Sequence, residues 1–146
     1  IASSEFELKC KADRIDISSE GLYLIDYKTG IIPTQKEVLA GFSPQLSLEA
    51  AIALKGGFPG ITNPKIKQLS YWQVNGKDIG GKEAIVAPNK DISAEDLAKE
   101  ALEGLKALLE AYMNPVMGYL HNPVPYYAPK YSDYEHLARS KAWQED

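Results

Sequence analysis

The stretch GLYLIDYKTG, residues 21–30, places Asp26 and Lys28 at the end of an otherwise apolar run. A run rich in Leu, Ile and Tyr that is bounded by glycine on both sides is typical of a buried β-strand. Because side chains alternate between the two faces of a strand, Asp26 and Lys28 point to one face and Tyr27 to the other. Burying a lone charge is costly, so a charged pair at this position needs compensating partners. The stretch therefore predicts a polar site at the end of a core strand.

The segment before it, residues 6–17, predicts the strand that pairs with this core strand. A turn at SSEG, residues 18–21, folds the segment back in the antiparallel direction. Its apolar pattern changes phase near Asp13, which indicates a bulge or bend of the kind that re-aims side chains beside active sites. We therefore expect Asp13 to face Asp26 across the hairpin and Asp16 to leave on the opposite face. An acid–x–lysine triplet is also typical of a solvated surface ion pair, and this alternative stays open.

The remainder of the chain predicts an α/β domain with a central mixed sheet flanked by helices. Residues 43–55 have the pattern of a helix with Ser43 as N-cap and Pro44 at its first position. Residues 66–74 are typical of a third strand, and residues 83–87 of a short further strand. The sequence SAED, residues 93–96, matches a capping box that opens a long helix. The positions of that helix expected to face the core are Leu97, Ala101, Leu105, Leu108 and Tyr112.

Composition limits the class of protein. A chain of 146 residues with 45% hydrophobic residues can bury one core of moderate size. No run of 18 apolar residues and no signal-peptide pattern is present, which favours a cytoplasmic domain. The single cysteine, Cys10, excludes an internal disulfide and an iron–sulfur cluster held by this chain alone. The net charge of −4 argues against a free-standing DNA binder, but not against a module to which a larger assembly delivers DNA.

The order ADRID, IDYKTG and PQL resembles the RecB-like branch of the PD-(D/E)XK nuclease superfamily. More narrowly, it is similar to the C-terminal nuclease domain of AddB-type double-strand break repair proteins. The closing stretch YSDYEHLARSKAW, residues 131–143, also resembles the tail of this group. The resemblance implies a restriction-endonuclease-like α/β core over residues 1–113. Residues 114–146 would be a Pro- and Tyr-rich C-terminal extension packed on the same domain.

The resemblance also implies roles for individual residues. The implied catalytic residues are Asp13, Asp26, Lys28 and Gln45. The implied metal ligands are Asp13, Asp26 and the backbone carbonyl oxygen of Tyr27, with Mg²⁺ or Mn²⁺ as the cation. The implied DNA contacts are Arg14 and Gln45.

The chain departs from the family pattern in three places. The residue four positions after Gln45 is Glu49, where the motif has tyrosine, and the glycine of the first motif is replaced by Cys10 or Lys11. The family also carries an acidic or histidine residue on a helix before the first strand, and this chain starts at Ile1. We expect that N-terminal helix to belong to a longer polypeptide, and the fragment alone to cleave DNA weakly or not at all.

The function that the resemblance implies is a Mg²⁺-dependent deoxyribonuclease of the exonuclease type. It would process double-strand DNA ends for recombinational repair within a bacterial helicase–nuclease complex. Its partners would be DNA, the remainder of its own longer chain and an AddA-type helicase–nuclease subunit, with no membrane. Two alternatives are a catalytically silent PD-(D/E)XK module that binds DNA or acts as a scaffold, and an unrelated protein-interaction domain. Intact Asp13, Asp26 and Lys28 argue against the silent module, and their convergence in space tests the interaction domain.

Overall fold

The computed structural model describes residues 2–3, 6–62, 64–76, 80–86, 92–118, 124 and 126. The strands are β1 (Ala2–Ser3), β2 (Phe6–Glu7), β3 (Arg14–Ser18), β4 (Gly21–Lys28), β5 (Ile66–Gln73) and β6 (Lys82–Val86). The helices are α1 (Gln35–Leu39), α2 (Gln45–Leu54) and α3 (Ala94–Met113).

The chain divides into two compact units, Ile1–Leu109 and Glu110–Asp146, and the division falls inside α3. The boundary predicted from the sequence, between residues 113 and 114, lies at the end of the same helix. That the C-terminal extension packs on the nuclease core stays a prediction. The sequence also predicts a terminal helix over residues 132–143, which lies outside the residues described. Within the described ranges, no helix combines the length and the apolar character needed to cross a membrane.

A mixed four-stranded sheet in the order β3-β4-β5-β6 forms the centre of the first unit. The β4–β5 pair is parallel, and the β3–β4 and β5–β6 pairs are antiparallel. The α/β class and the mixed sheet predicted from the sequence are therefore confirmed. Leu22, Leu24 and Leu69 fill the buried face of the two inner strands, as the apolar run in β4 predicts. As an inner strand, β4 pairs with β3 as far as Ile25 and with β5 as far as Lys28.

Helix α2 covers the inner strands and contacts both β4 and β5. It buries Leu46 and Ala50 completely, and these small and medium side chains allow the helix to lie close to the sheet. The predicted start of the helix is wrong by one residue. Pro44 is the N-cap and Gln45 the first helical residue, with no side-chain cap from Ser43. Gln45 is therefore in the first turn of α2, and its side chain faces the end of β4.

The single strand predicted over residues 6–17 is wrong. Phe6–Glu7 pairs with Ala2–Ser3 in a separate two-stranded sheet, and only Arg14–Ser18 pairs with β4. The change of apolar phase near Asp13 explains the break. In one continuous strand, the apolar residues of the two halves would lie on opposite faces of the sheet. The ladder between β3 and β4 begins at Arg14, so Asp13 lies directly before it in the chain.

The capping box predicted at the start of α3 is confirmed. Ser93 Oγ accepts a hydrogen bond from the Asp96 amide at 3.1 Å, and Asp96 Oδ2 accepts one from the Ser93 amide at 3.1 Å. The predicted buried stripe is wrong beyond Leu97, since the buried residues are Leu97, Ala98 and Leu102, and Leu108 is 52% exposed. The Ile66 amide donates to Glu95 Oε1 at 3.1 Å and ties the first turn to β5. Only the first half of α3 therefore contributes to the core.

Candidate active site

The end of β4 carries a buried ion pair. Asp26 is 2% exposed, and Lys28 Nζ lies 2.7 Å from its Oδ2 atom. The lysine side chain is 29% exposed, so the ammonium lies where the buried acid meets the surface. A solvated surface pair, the alternative left open by the sequence, would leave both partners exposed. The burial of Asp26 therefore favours the interpretation of this triplet as part of a site.

Asp13 is attached to the same end of β4 through the backbone. The Tyr27 amide donates a hydrogen bond to Asp13 Oδ2 at 3.0 Å. The last ladder pair between β3 and β4 is Arg14 with Ile25, so Asp13 lies one residue beyond the ladder, beside Asp26. Its side chain thus binds the strand where backbone pairing has stopped. The structure brings Asp13 and Asp26 to one end of the hairpin, as the sequence predicts.

Gln45 joins the helix to this ion pair. Its Nε2 atom donates to Asp26 Oδ1 at 2.6 Å, and its Oε1 atom accepts from Lys28 Nζ at 3.2 Å. Each of the three side chains therefore contacts the other two. The two ends of the amide have different partners, a carboxylate and an ammonium, which fixes the orientation of the amide group.

Glu49, one helical turn after Gln45, is a fourth member of this cluster. It is 3% exposed, and its Oε1 atom accepts a hydrogen bond from Gln45 Nε2 at 3.3 Å. Burial raises the pKa of its carboxyl group, and the negative charges of Asp26 and Asp13 raise it further against the opposing effect of the Gln45 bond. The sequence predicts no role for Glu49 and shows only that it departs from the motif. The signal available was its spacing of four residues from Gln45, which places both on one helix face.

Tyr71, on the neighbouring strand β5, packs beside this cluster. It lies beside Asp26 in the β4–β5 register and is fully buried. Lys28 Nζ is 5.6 Å from the centre of its ring. Burial, together with the charges of Asp26 and Glu49, raises the pKa of the Tyr71 hydroxyl to about 12, so the phenol is neutral at physiological pH.

Arg14 lies on the other face of the sheet. Its guanidinium group binds both carboxylate oxygens of Asp16, at 2.8 and 2.9 Å, and approaches the Tyr27 hydroxyl at 3.3 Å. It also lies 5.2 Å from the centre of the Trp72 ring. Asp16 is therefore on the face opposite Asp26, as predicted. The structure does not bring Arg14 to the Asp26 cluster, and its contact with DNA stays a prediction.

The donor set suits a hard divalent cation. Asp26 Oδ2 is buried and accepts no hydrogen bond of good geometry from the described residues, although Lys28 Nζ is an ion-pair partner at 2.7 Å. This oxygen can therefore accept a second cation, and carboxylate oxygens are the ligands that Mg²⁺ prefers. Across the described ranges, no three His, Cys, Asp or Glu side chains lie together within reach of one metal ion. That Asp13 and Asp26 hold the cation together with the Tyr27 carbonyl oxygen stays a prediction.

Similar chains occur in Rickettsia. An uncharacterized protein of Rickettsia conorii is 35% identical over 147 residues, which cover 88% of this chain and 17% of that protein. An uncharacterized protein of Rickettsia felis is 32% identical over 169 residues, covering 95% of this chain and 19% of that protein. The chain therefore spans less than a fifth of the length of these curated relatives.

No solved structure shows a significant match to the chain. The model of the PD-(D/E)XK nuclease superfamily matches residues 1–123, a range that includes the whole sheet and the cluster around Asp26. The observed four-stranded mixed sheet with its flanking helices agrees with the restriction-endonuclease-like fold of that superfamily. The acid–x–lysine motif of this chain, Asp26 and Lys28, lies at the end of a core strand. The chain therefore belongs to the PD-(D/E)XK nuclease superfamily.

Proposed function

We propose that this chain is the nuclease domain of a longer protein that hydrolyses DNA phosphodiester bonds with the aid of Mg²⁺ or Mn²⁺. The observation that carries the proposal is the contact of Asp26 with both Lys28 and Gln45 at the end of a core strand. Membership of a nuclease superfamily supports the type of reaction. A structural role alone would not require the buried carboxylate of Asp26 to contact both an amide and a partly exposed ammonium group.

Asp13 and Asp26 would hold the cation. Both present carboxylate oxygens, and both are fixed at the end of β4, Asp13 by the Tyr27 amide and Asp26 by Gln45. When bound, a divalent cation supplies neutralisation of charge on the scissile phosphate and lowers the pKa of an attacking water. Mg²⁺ is often bound through one or two carboxylates while it keeps several waters, which suits a site with two protein ligands.

Lys28 would stabilise the negative charge that develops on the phosphate. Its ammonium group is held between Asp26 Oδ2 and Gln45 Oε1, so its position is fixed before DNA arrives. A preplaced charge of this kind stabilises a transition state without a cost of reorganisation. Gln45 would act as a positioning residue for Lys28 and Asp26.

The biological setting of the proposal rests on the resemblance to AddB-type proteins and on the length of the relatives. A chain that spans 17% to 19% of its relatives is expected to work as one domain of a larger protein. The net charge of −4 fits a module whose DNA is delivered by other parts of an assembly. We infer exonuclease-type processing of double-strand ends in the bacterial cytoplasm, within a helicase–nuclease complex that includes an AddA-type subunit.

A cleavage assay on two DNA forms tests the proposal. The full-length protein is incubated with linear duplex and with covalently closed circular duplex of the same sequence, in Mg²⁺ and in EDTA. We expect degradation of the linear form in Mg²⁺ only, and none by Asp26→Ala or Lys28→Ala, while both variants keep their fold and their DNA affinity. Asp16→Ala, which removes an acid from the opposite sheet face, is the matched control and should retain activity.

Each outcome separates one part of the proposal from another. Cleavage that persists in EDTA or in Asp26→Ala would show that the chemistry occurs elsewhere in the protein. Equal cleavage of linear and circular DNA would keep the nuclease but contradict action from DNA ends. DNA binding without cleavage by the wild-type protein under all metal conditions would favour the silent scaffold.

A further inference from the structure

Glu49 is a buried acid with little compensation. It is 3% exposed, and its one hydrogen bond from the described residues comes from Gln45 Nε2 at 3.3 Å. That nitrogen lies much closer to Asp26, at 2.6 Å. No lysine or arginine in the described ranges forms an ion pair with Glu49. Buried carboxylates are normally paired with a cation or bound by several donors, so Glu49 needs an explanation.

The charges around Glu49 do not balance. The negative charges of Asp13 and Asp26 act on Glu49, and the ammonium group of Lys28 opposes them. Three carboxylates against one ammonium leave two negative charges in a partly buried cluster. A divalent cation carries the charge that would compensate this excess, and such ions are often the largest local charges in a site.

Glu49 does not lie close enough to join Asp13 and Asp26 around one ion, since no three such side chains in the described part of the chain do so. Mg²⁺ keeps several of its waters when carboxylates bind it. We propose that Glu49 supplies the third negative charge of the cation site and acts on the hydrated cation through its water shell. The inference rests on the proposed function and extends it to a motif position at which this chain departs from the family.

The residue type at position 49 is decisive for this inference. The motif that the chain resembles has tyrosine here, and a neutral phenol adds no charge to the site. Glu49 reaches the cluster from α2, whereas Asp13 and Asp26 reach it from the hairpin. The cation would therefore be enclosed by acids from two sides of the site. Outer-shell partners of this kind typically contribute a factor of about 10 to 100 in metal affinity or activity.

Calorimetric titration with Mn²⁺ tests the role of Glu49 without an activity readout. The full-length wild-type protein is compared with Glu49→Gln, which keeps the shape and the bond to Gln45 but removes the charge. We expect Mn²⁺ affinity to fall by about tenfold or more. Glu110→Gln, which removes an exposed acid from α3, is the matched control and should bind as the wild type does. Glu49→Asp keeps the charge on a shorter side chain and should bind better than Glu49→Gln.

The same titration distinguishes failure of this inference from failure of the proposed function. If Asp26→Asn loses Mn²⁺ binding but Glu49→Gln binds within about twofold of the wild type, Glu49 has only a structural role and the inference is wrong. If Glu49→Gln does not fold, Glu49→Ala replaces it: an Mn²⁺ affinity about tenfold or more below the wild type supports the inference, and an affinity within about twofold of the wild type overturns it. If the wild-type protein binds no Mn²⁺, the proposed function and this inference both fail.

Discussion

Gln45 Nε2 lies 2.6 Å from Asp26 Oδ1, so the first residue of α2 is bonded directly to the buried acid at the end of β4. The other end of the same amide accepts a hydrogen bond from Lys28. The helix therefore controls the geometry of an ion pair that belongs to the sheet. This relationship explains why the motif extends across a loop to a glutamine outside the hairpin.

We expect Gln45→Ala to lower kcat for DNA cleavage by about 10- to 100-fold, because Asp26 and Lys28 lose the group that positions them. KM for DNA should change little. The control is Gln68→Ala, whose amide binds Glu83 on the opposite face of the sheet and should leave both constants unchanged. Steady-state kinetics of the full-length protein measure the difference. A rise in KM at constant kcat would assign Gln45 to DNA contact instead.

We expect Lys28→Met to lower the free energy of unfolding by about 1 to 3 kcal/mol at pH 7, because Asp26 would keep its charge without its ion-pair partner. The upper values for buried pairs do not apply, since the lysine side chain is 29% exposed. The double variant Lys28→Met with Asp26→Asn should be more stable than Lys28→Met alone. Urea denaturation measures both, and a double variant no more stable than the single one would contradict the coupling.

The hairpin end of the site was predictable from the sequence because strand alternation is a local rule. It placed Asp26 and Lys28 on one face, and the phase change near Asp13 located the bend. The limits of the helices and the split of residues 6–17 depended on packing between distant segments. The spacing of Glu49 from Gln45 places both on one helix face, but the burial of Glu49 could not be predicted, because it depends on packing between distant segments. The predicted buried face of α3 was wrong for the same reason, since only the first half of that helix contributes buried residues.

We expect Gly21→Ala to destabilise the protein by about 2 kcal/mol or more. Gly21 has a φ of 135°, and an added Cβ would lie 2.5 Å from the carbonyl oxygen of Lys65. That oxygen also accepts the Leu22 amide at 2.8 Å, so it cannot move without loss of a bond at the start of β4. Gly30→Ala is the matched control, because its Cβ would meet no atom within 4 Å. Equal thermal stability of the two variants would contradict this account.

We expect the capping box of α3 to contribute to stability in a pH-dependent way. Hydrogen bonds from Ser93 lower the pKa of the Asp96 carboxyl below its ordinary value of 3.8. Between the two values the unfolded chain binds more protons, so this stabilisation is fully present above about pH 3.8 and is lost as the pH falls through the lowered pKa. Asp96→Asn should therefore lose less stability than the wild type on acidification below pH 4. Thermal unfolding across this range measures it, and parallel curves for the two proteins would refute it.

The most direct test of the central claim is anomalous diffraction from a crystal of the protein grown with Mn²⁺. The account predicts one strong Mn²⁺ peak at the end of β4, within about 2.2 Å of a carboxylate oxygen of both Asp13 and Asp26. Glu49 should lie within hydrogen-bonding distance of a water on that ion. A peak bound by other residues, or no peak at a Mn²⁺ concentration that supports DNA cleavage, would contradict the claim that this cluster is the metal site of the nuclease.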